Sequence, residues 1–305
     1  MRKDFAAFIL THGRPDRIYT LDTIRRFGYT GKVYLVVDDE DKTLPEYRRL
    51  YGDDVLVFSK REIAEKFDEG DNFEDRRAVI YARNACFELA RKAGVKYFIQ
   101  LDDDYTGFYF RFNSRMEYGV WRAECLDDVF SALLDYLIAS PALSICMSQG
   151  GDHIAGASGF VENVYAKRKA MNTFVCDVDR PFSFFGRINE DVNTYTTLGR
   201  RGCLFLSIMS VQVNQKQTQS NTGGMTELYL DAGTYVKSFY SVMYCPSSVR
   251  VSEMGSSYKR IHHEIDWPTT AVQIISEKYR KRAKNGSRGN AAPARDKKRA
   301  GKNAR

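Results

Sequence analysis

The chain has 305 residues, 43% of them hydrophobic and 13% aromatic, with a formal net charge of +7 at pH 7. This is long enough for one large domain or two small ones with a sizeable core, and no apolar run approaches the ~18 residues that would span a membrane. The charge is lopsided: residues 280–305 hold eleven Lys or Arg against one Asp, so the body before them is slightly acidic and the basicity belongs to the tail.

The opening MRKDFAAFILTHGRPDR starts basic and turns apolar, but the apolar run is short and passes into Thr11-His12-Gly13-Arg14-Pro15 without a small-residue cleavage site. A first strand over 5–11 is therefore expected rather than a secretory leader. Ile18, Leu21, Ile24 and Phe27 follow at helical spacing, with Gly28 as a stop, and VYLVV (33–37) completes a β-α-β unit. A third strand is expected at VLVF (55–58). A helix over roughly 76–93 places Val79, Ala82, Cys86, Leu89, Ala90 and Ala93 on one face, before Gly94 and the strand YFIQL. Alternation of strands and helices predicts an α/β domain with a mostly parallel sheet, helices on both faces, and ligands at the carboxyl ends of the strands.

Beyond Tyr105 the pattern loosens. Leu126, Val129, Phe130, Leu133, Leu134 and Leu137 mark an amphipathic helix, and LSICMS reads as a strand. Residues 160–176 and 203–213 alternate as antiparallel strands do, and Pro268 stands in the first turn of a short helix ending near Tyr279. From about Lys284 onward apolar residues are almost absent, which predicts disorder. No internal repeat is evident. The expected layout is one domain over 1–279, divided into residues 1–110, which carry the mostly parallel ligand-binding sheet, and residues 111–279, which add a smaller antiparallel part, followed by the basic tail 280–305. Six scattered cysteines without a CxxC pair suggest buried reduced thiols and a cytoplasmic protein.

Three features fall at three strand ends: Thr11-His12-Gly13-Arg14-Pro15, Asp38-Asp39-Glu40-Asp41 and Asp102-Asp103-Asp104. Consecutive aspartates repel one another, and a hard divalent cation such as Mg²⁺ or Mn²⁺ is the natural remedy, usually taking one or two protein carboxylates and completing its shell with substrate phosphates. On an extended chain Asp102 and Asp104 share a face while Asp103 points away, so one of the pair can ligate metal and the other meet a sugar hydroxyl. Asp102-x-Asp104-x-Thr106-Gly107 also satisfies the DxDxTG pattern of haloacid-dehalogenase-type phosphatases, although about a hundred residues of α/β sequence precede it and a downstream acidic partner is faint, at Gly151-Asp152.

The run ARNACFELARKAGVKYFIQLDDD resembles nucleotide-sugar glycosyltransferases of the GT-A fold, in which such a helix leads through an apolar strand to a DxD motif. The resemblance implies that Asp38 or Asp39 contacts the nucleobase or ribose, that Thr11, Arg14, Asp102 and Asp103 line the nucleotide-sugar site, and that Arg83 faces the diphosphate. It also implies that the Glu190-Asp191 segment, at a helix start in FFGRINEDVN, supplies the catalytic base, and that His262 or His263 joins Asp104 and Asp102 around the metal. Gln-x-x-Arg-Trp, a mark of processive synthases, is missing. More closely, GRPDRIYTLDTIRRFGYTGKVYLVVDDEDKTLPEYRRLYGDDVLVFSK is similar to the TET-associated glycosyltransferases, themselves similar to the base J glucosyltransferase. This second resemblance covers about residues 5–279.

It implies metal-dependent sugar transfer, with Mn²⁺ or Mg²⁺, from a nucleotide-sugar (UDP-linked by analogy) to the hydroxyl of a 5-hydroxymethylpyrimidine in DNA, with inversion. A flexible basic tail suits a DNA partner through counterion release. Candidate acceptor-side loops are Ser148 to Gly159 and Thr222 to Thr226, both glycine-rich. A protein-directed glycosyltransferase, a phosphatase and a catalytically silent nucleic-acid-binding protein are the competing readings.

Overall fold

The computed structural model describes residues 1–71, 76–154, 156–157, 168–216, 236–255 and 259–271. They lie in one compact unit, Met1–Ile274. The second unit, Ile275–Arg305, lies outside the described residues, and with it the basic tail and its expected disorder.

The first strands are β1 (Phe5–Leu10), β2 (Lys32–Asp38), β3 (Val55–Phe58) and β4 (Tyr97–Asp102). Between them lie helices α1 (Tyr19–Arg26), α2 (Leu44–Tyr51), α3 (Lys60–Ala64) and α4 (Ile80–Lys92). β1 is entirely buried and pairs in parallel with β2 on one side and β4 on the other. α1 ends as the sequence predicts: Gly28 takes a φ of +88°, and a Cβ there would press on the carbonyl oxygen of Glu124 at 3.0 Å.

The second half contributes β5 (Tyr105–Phe112), β6 (Tyr118–Arg122), α5 (Leu126–Ala139), β7 (Ser144–Gln149), β8 (Phe174–Asp177), α6 (Glu190–Arg200) and β9 (Phe205–Gln215). α7 (Val236–Tyr244), β10 (Val249–Met254), β11 (Arg260–Ile265) and α8 (Trp267–Thr270) follow. Strands β1 to β9 form one nine-stranded sheet in the order β3-β2-β1-β4-β8-β7-β9-β5-β6. Only β5 and β8 run against the other seven, so the sheet is mostly parallel as expected. β10 and β11 form a small separate antiparallel ribbon.

Two apolar layers cover the sheet. On one face Ile24, Phe27, Phe130, Leu134 and Leu137 pack over Ile9, Val37 and Leu101, and on the other Tyr81, Phe87, Val192 and Tyr195 pack over Phe8, Phe98 and Cys176. The face expected of α4 is too narrow, because Ile80, Tyr81, Ala85 and Phe87 are buried as well. The helix lies between sheet and second half, so almost its whole circumference is covered. The short hairpin β5–β6 is not foreseen either, since aromatic residues point to both sides of it and leave no clean alternation.

Residues 203–213 fall largely in β9, which is antiparallel to β5 but parallel to β7, and 174–177 form β8, antiparallel to both neighbours. The expected strand over 160–167, the loop Thr222 to Thr226 and the helix beyond residue 271 lie outside the described residues. All six cysteines are free thiols, four of them buried. Among the described residues no helix is long and apolar enough to cross a membrane.

Phe130 is fully buried at the junction of α5 with Phe5, Tyr29 and Phe108. Phe130→Ala is expected to cost about 3–5 kcal/mol, measured as a lower urea midpoint with an unchanged m-value.

Candidate active site

The three predicted strand ends lie side by side, because β2, β1 and β4 are neighbours pointing the same way. A relay ties the first to the third. The Arg14 backbone N–H donates to the Tyr47 hydroxyl at 3.0 Å, Tyr47 bonds Thr11 Oγ1 at 2.8 Å, and Thr11 donates to Asp103 Oδ2 at 2.8 Å. The Arg14 guanidinium closes the loop 3.2 Å from the same Asp103 oxygen. Asp103 and Asp104 lie in the turn after β4 rather than on an extended chain, and Asp103 is buried there, where it fixes Thr11 and Arg14.

Asp38, at the end of β2, is buried and fully engaged. His12 Nδ1 meets its Oδ2 at 2.7 Å, and Lys60 Nζ meets Oδ1 at 3.1 Å. Asp39 is exposed and accepts the Lys60 backbone N–H at 2.9 Å. Of the two candidates for a nucleotide contact, Asp39 is therefore the accessible one and Asp38 holds the loop. The Asp38 carboxylate raises the His12 pKa above its ordinary value.

Arg83 differs from its expectation. Its side chain is 2% exposed, with Nε donating to Glu190 Oε1 and Nη2 to Asp102 Oδ1, each at 2.9 Å. The guanidinium also lies over the ring of Phe174, 5.1 Å from its centroid. Rather than facing a diphosphate, Arg83 joins the end of β4 to the start of α6. A cation already bracketed by two protein carboxylates has little left for a ligand phosphate.

That bridge brings the second-half acids to the first-half acids. α6 begins at Glu190, as the sequence implies, and is preceded by Asn189 in the left-handed region at φ +62°. Asn189 is anchored by its amide to Ser241 Oγ at 2.6 Å and lies 3.4 Å from His263 Nδ1. Asn193 donates to the Ile188 carbonyl at 2.9 Å and accepts from Ser241. Asp191 is buried behind Glu190, and its carboxyl is pushed up to about 7, first by burial and then by the Glu190 charge, with Arg83 opposing.

Asp104 is half-buried, and its carboxyl is likewise pushed up to about 7 by burial and by Asp102 and Asp103. Such crowding suits a hard divalent cation, and Mg²⁺ or Mn²⁺ needs only one or two of these carboxylates. Asp104 and Asp102 fit that donor set, Asp102 with one oxygen given to Arg83. His263 is pushed down to about 3 by burial, then by His262, Lys237 and Lys169, which leaves its ring in the neutral form that ligates metals. Among the described residues, however, no three His, Cys, Asp or Glu side chains converge into a metal-binding group, so His262 and His263 do not stand with the aspartates in one cluster. His262 turns its Nδ1 to the His263 carbonyl.

Tyr47, Lys60 and Asn189 are site residues that the sequence reading overlooked. Pro45 in TLPEY marks the start of a helix and could have revealed α2, which carries Tyr47. Nothing local distinguishes Lys60 or Asn189.

The chain matches the family described as TET-associated glycosyltransferase over residues 5–224. No curated protein matches it in sequence. Among solved structures it is similar to glucosyl-3-phosphoglycerate synthase from Mycobacterium tuberculosis in complex with Mg²⁺ and uridine diphosphate, at 9% identity and a TM-score of 0.44 over 86% of this chain and 87% of that one. The same enzyme with phosphoglyceric acid gives 10% identity and a TM-score of 0.45 over 86% and 85%.

Arg83→Ala would leave Asp102 and Glu190 facing each other, at an expected cost of about 3–5 kcal/mol, measured by urea denaturation. For His12, a raised folded pKa contributes stability at pH below the unfolded value and loses it as pH rises through the folded value. Its imidazole should titrate above the ordinary histidine value by NMR, and Asp38→Asn should bring it back down.

Proposed function

Because the chain belongs to the TET-associated glycosyltransferase family, and is therefore a glycosyltransferase, we propose that it transfers a sugar from a UDP-sugar to the hydroxyl of a 5-hydroxymethylpyrimidine in DNA, with inversion at the anomeric carbon. The observation that carries this reading is the Asp102–Arg83–Glu190 bridge, which sets the aspartate end of β4 against the acidic start of α6. That juxtaposition supports a reading in which a donor site at the aspartates adjoins a proton acceptor on α6.

Asp104 and Asp102 would hold the divalent cation, with substrate phosphates completing its shell. When bound, that cation neutralises the diphosphate leaving group. Thr11, Arg14 and Asp39 border the nucleotide. Arg83 keeps Glu190 and Asp102 in register. Asp191 is the better matched general base: a carboxyl raised to about 7 can take the proton of the attacking hydroxyl near neutral pH. A single displacement on an α-linked donor then leaves a β-linked sugar. The basic residues of 280–305 support a DNA acceptor, since each phosphate contact releases counterions and adds affinity at low salt.

Intact-strand mass spectrometry tests this after incubation with Mn²⁺, UDP-glucose or UDP-N-acetylglucosamine, and duplexes bearing hydroxymethylcytosine, hydroxymethyluracil or cytosine. A hexose or N-acetylhexosamine increment on one hydroxymethylated strand, absent with cytosine, is expected. Hydrolysis of a UDP-sugar with no increment would discard the DNA acceptor while keeping the donor. Asp191→Asn is expected to lower kcat about 10²- to 10⁴-fold, with the KM for the nucleotide-sugar little changed.

A further inference from the structure

α6 opens on an asparagine, Asn189, that does not cap it in the usual way. An asparagine at a helix start ordinarily turns its side-chain oxygen back to a first-turn N–H. Asn189 makes no such bond: its backbone is left-handed, and its amide donates outward to Ser241 Oγ on α7 at 2.6 Å. The Ser241 hydroxyl donates in turn to Asn193 Oδ1 at 2.9 Å. Asn189 and Asn193 are one turn apart, joined by the backbone bond from Asn193 N–H to the Asn189 carbonyl at 3.0 Å. One hydroxyl therefore brackets the turn that carries Glu190 and Asp191.

The roles within this bracket are fixed by the atoms available. Ser241 and Asn193 are fully buried, and a hydroxyl has a single proton. That proton goes to Asn193, so Ser241 can only accept from Asn189. The Asn193 amide is in turn taken up by the Phe185 and Ile188 carbonyls, at 3.0 and 2.9 Å. Gly186 makes room for it, since a Cβ there would fall 2.5 Å from Asn193 Nδ2. Ile188 packs against Tyr240, the residue before Ser241. Within the bracketed turn, Asp191 Oδ1 accepts the Val192 N–H at 2.7 Å, while its Oδ2 has no hydrogen bond among the described residues.

We infer that Ser241 is a positioning residue for sugar transfer, fixing the first turn of α6 so that Asp191 Oδ2 is held toward the acceptor hydroxyl. The inference rests on the reading of Asp191 as the proton acceptor. In that step the acceptor O–H bond breaks and its proton passes to Oδ2. The acceptor oxygen bonds the anomeric carbon, and the bond from that carbon to the diphosphate oxygen breaks, its electron pair leaving with the diphosphate. Ser241 takes no part in this exchange. Both of its hydrogen bonds go to the ends of the turn that aims the carboxyl, and neither goes to the donor loops after β1, β2 or β4. A misplacement of about 1 Å at a reacting group costs on the order of 10²-fold in rate, so loss of the bracket reads out in turnover rather than in donor affinity.

Turnover of the full chain with Mn²⁺ and a UDP-sugar tests this, measured both on hydroxymethylated duplexes and as hydrolysis, in which water stands in the acceptor's place. Ser241→Ala is expected to lower kcat about 10- to 100-fold, with the calorimetric affinity for UDP and Mn²⁺ unchanged. Asn189→Gly, which accommodates the left-handed backbone and lacks only the amide, should do the same and guards against misfolding of the first variant. In an Asp191→Asn background, Ser241→Ala should lower kcat no further, because it acts through that carboxyl. Wild-type kcat in either folded variant, a parallel fall in UDP affinity, or a full further loss in the Asp191→Asn background overturns the inference. If Asp191→Asn is slow while Ser241→Ala is not, the proposed function stands and the positioning role falls. Hydrolysis that slows in Ser241→Ala as expected, without any transfer to DNA, keeps the positioning role and discards the DNA acceptor.

Discussion

Arg83 holds the architecture of the site together. Its two carboxylate partners lie 19 and 107 residues away in sequence, one at the end of β4 and one at the start of α6. The guanidinium is planar and permanently charged, so it can donate in two directions at once from a buried position, which a lysine could not do. Desolvating this cation is costly, and the two carboxylates with the Phe174 face compensate for it. The arrangement depends on the cation most: removing Arg83 leaves two like charges facing each other, Glu190 among them buried.

Around that bridge the electrostatics are deliberately unbalanced. Asp102, Asp103, Asp104, Glu190 and Asp191 gather near Arg83 and Arg14, leaving an excess of negative charge in a partly dry space. Asp103 is relieved by Thr11 and Arg14, and Glu190 by Arg83. Asp104 and Asp191 are not relieved to the same degree, and both hold their protons more tightly than ordinary aspartates. The two carboxyls differ in setting: Asp104 is crowded by Asp102 and Asp103, which a cation would ease, while Asp191 is buried with Arg83 opposing the pressure of Glu190 and Asp102.

Much of this could be read from the sequence, because it is local. The β-α-β start, the strand carrying YFIQL into three aspartates, and Glu190-Asp191 at a helix start each depend on periodicity or on end signals within a few residues. The direction of Arg83 was not legible, since nothing within reach of ARN reveals that Glu190 will approach from the other half. The same holds for Asp38, which is held by His12 in the loop after β1 and by Lys60 on α3, and for Tyr47 on α2, which meets the Thr11 side chain and the Arg14 backbone N–H in that loop. Geometry that arises from long-range packing leaves no periodic trace. The β5–β6 hairpin escaped notice for a related reason, because it is flanked on both sides by side chains that mix aromatic and charged groups.

The sheet order has a further consequence for how the chain comes to be folded. β4 carries the aspartates, yet its outer neighbour is β8, with some seventy residues of chain between them. During synthesis the first four strands can assemble as a parallel half-sheet, but the free edge of β4 stays an open template until Phe174–Asp177 has emerged. Contacts of this separation close slowly. The nascent protein therefore passes through a stage in which an apolar strand edge, beside a cluster of like charges, is exposed on the ribosome. The charges at its tip act as gatekeepers for that interval, opposing edge-to-edge association between nascent chains before the enzyme has a site to use them in.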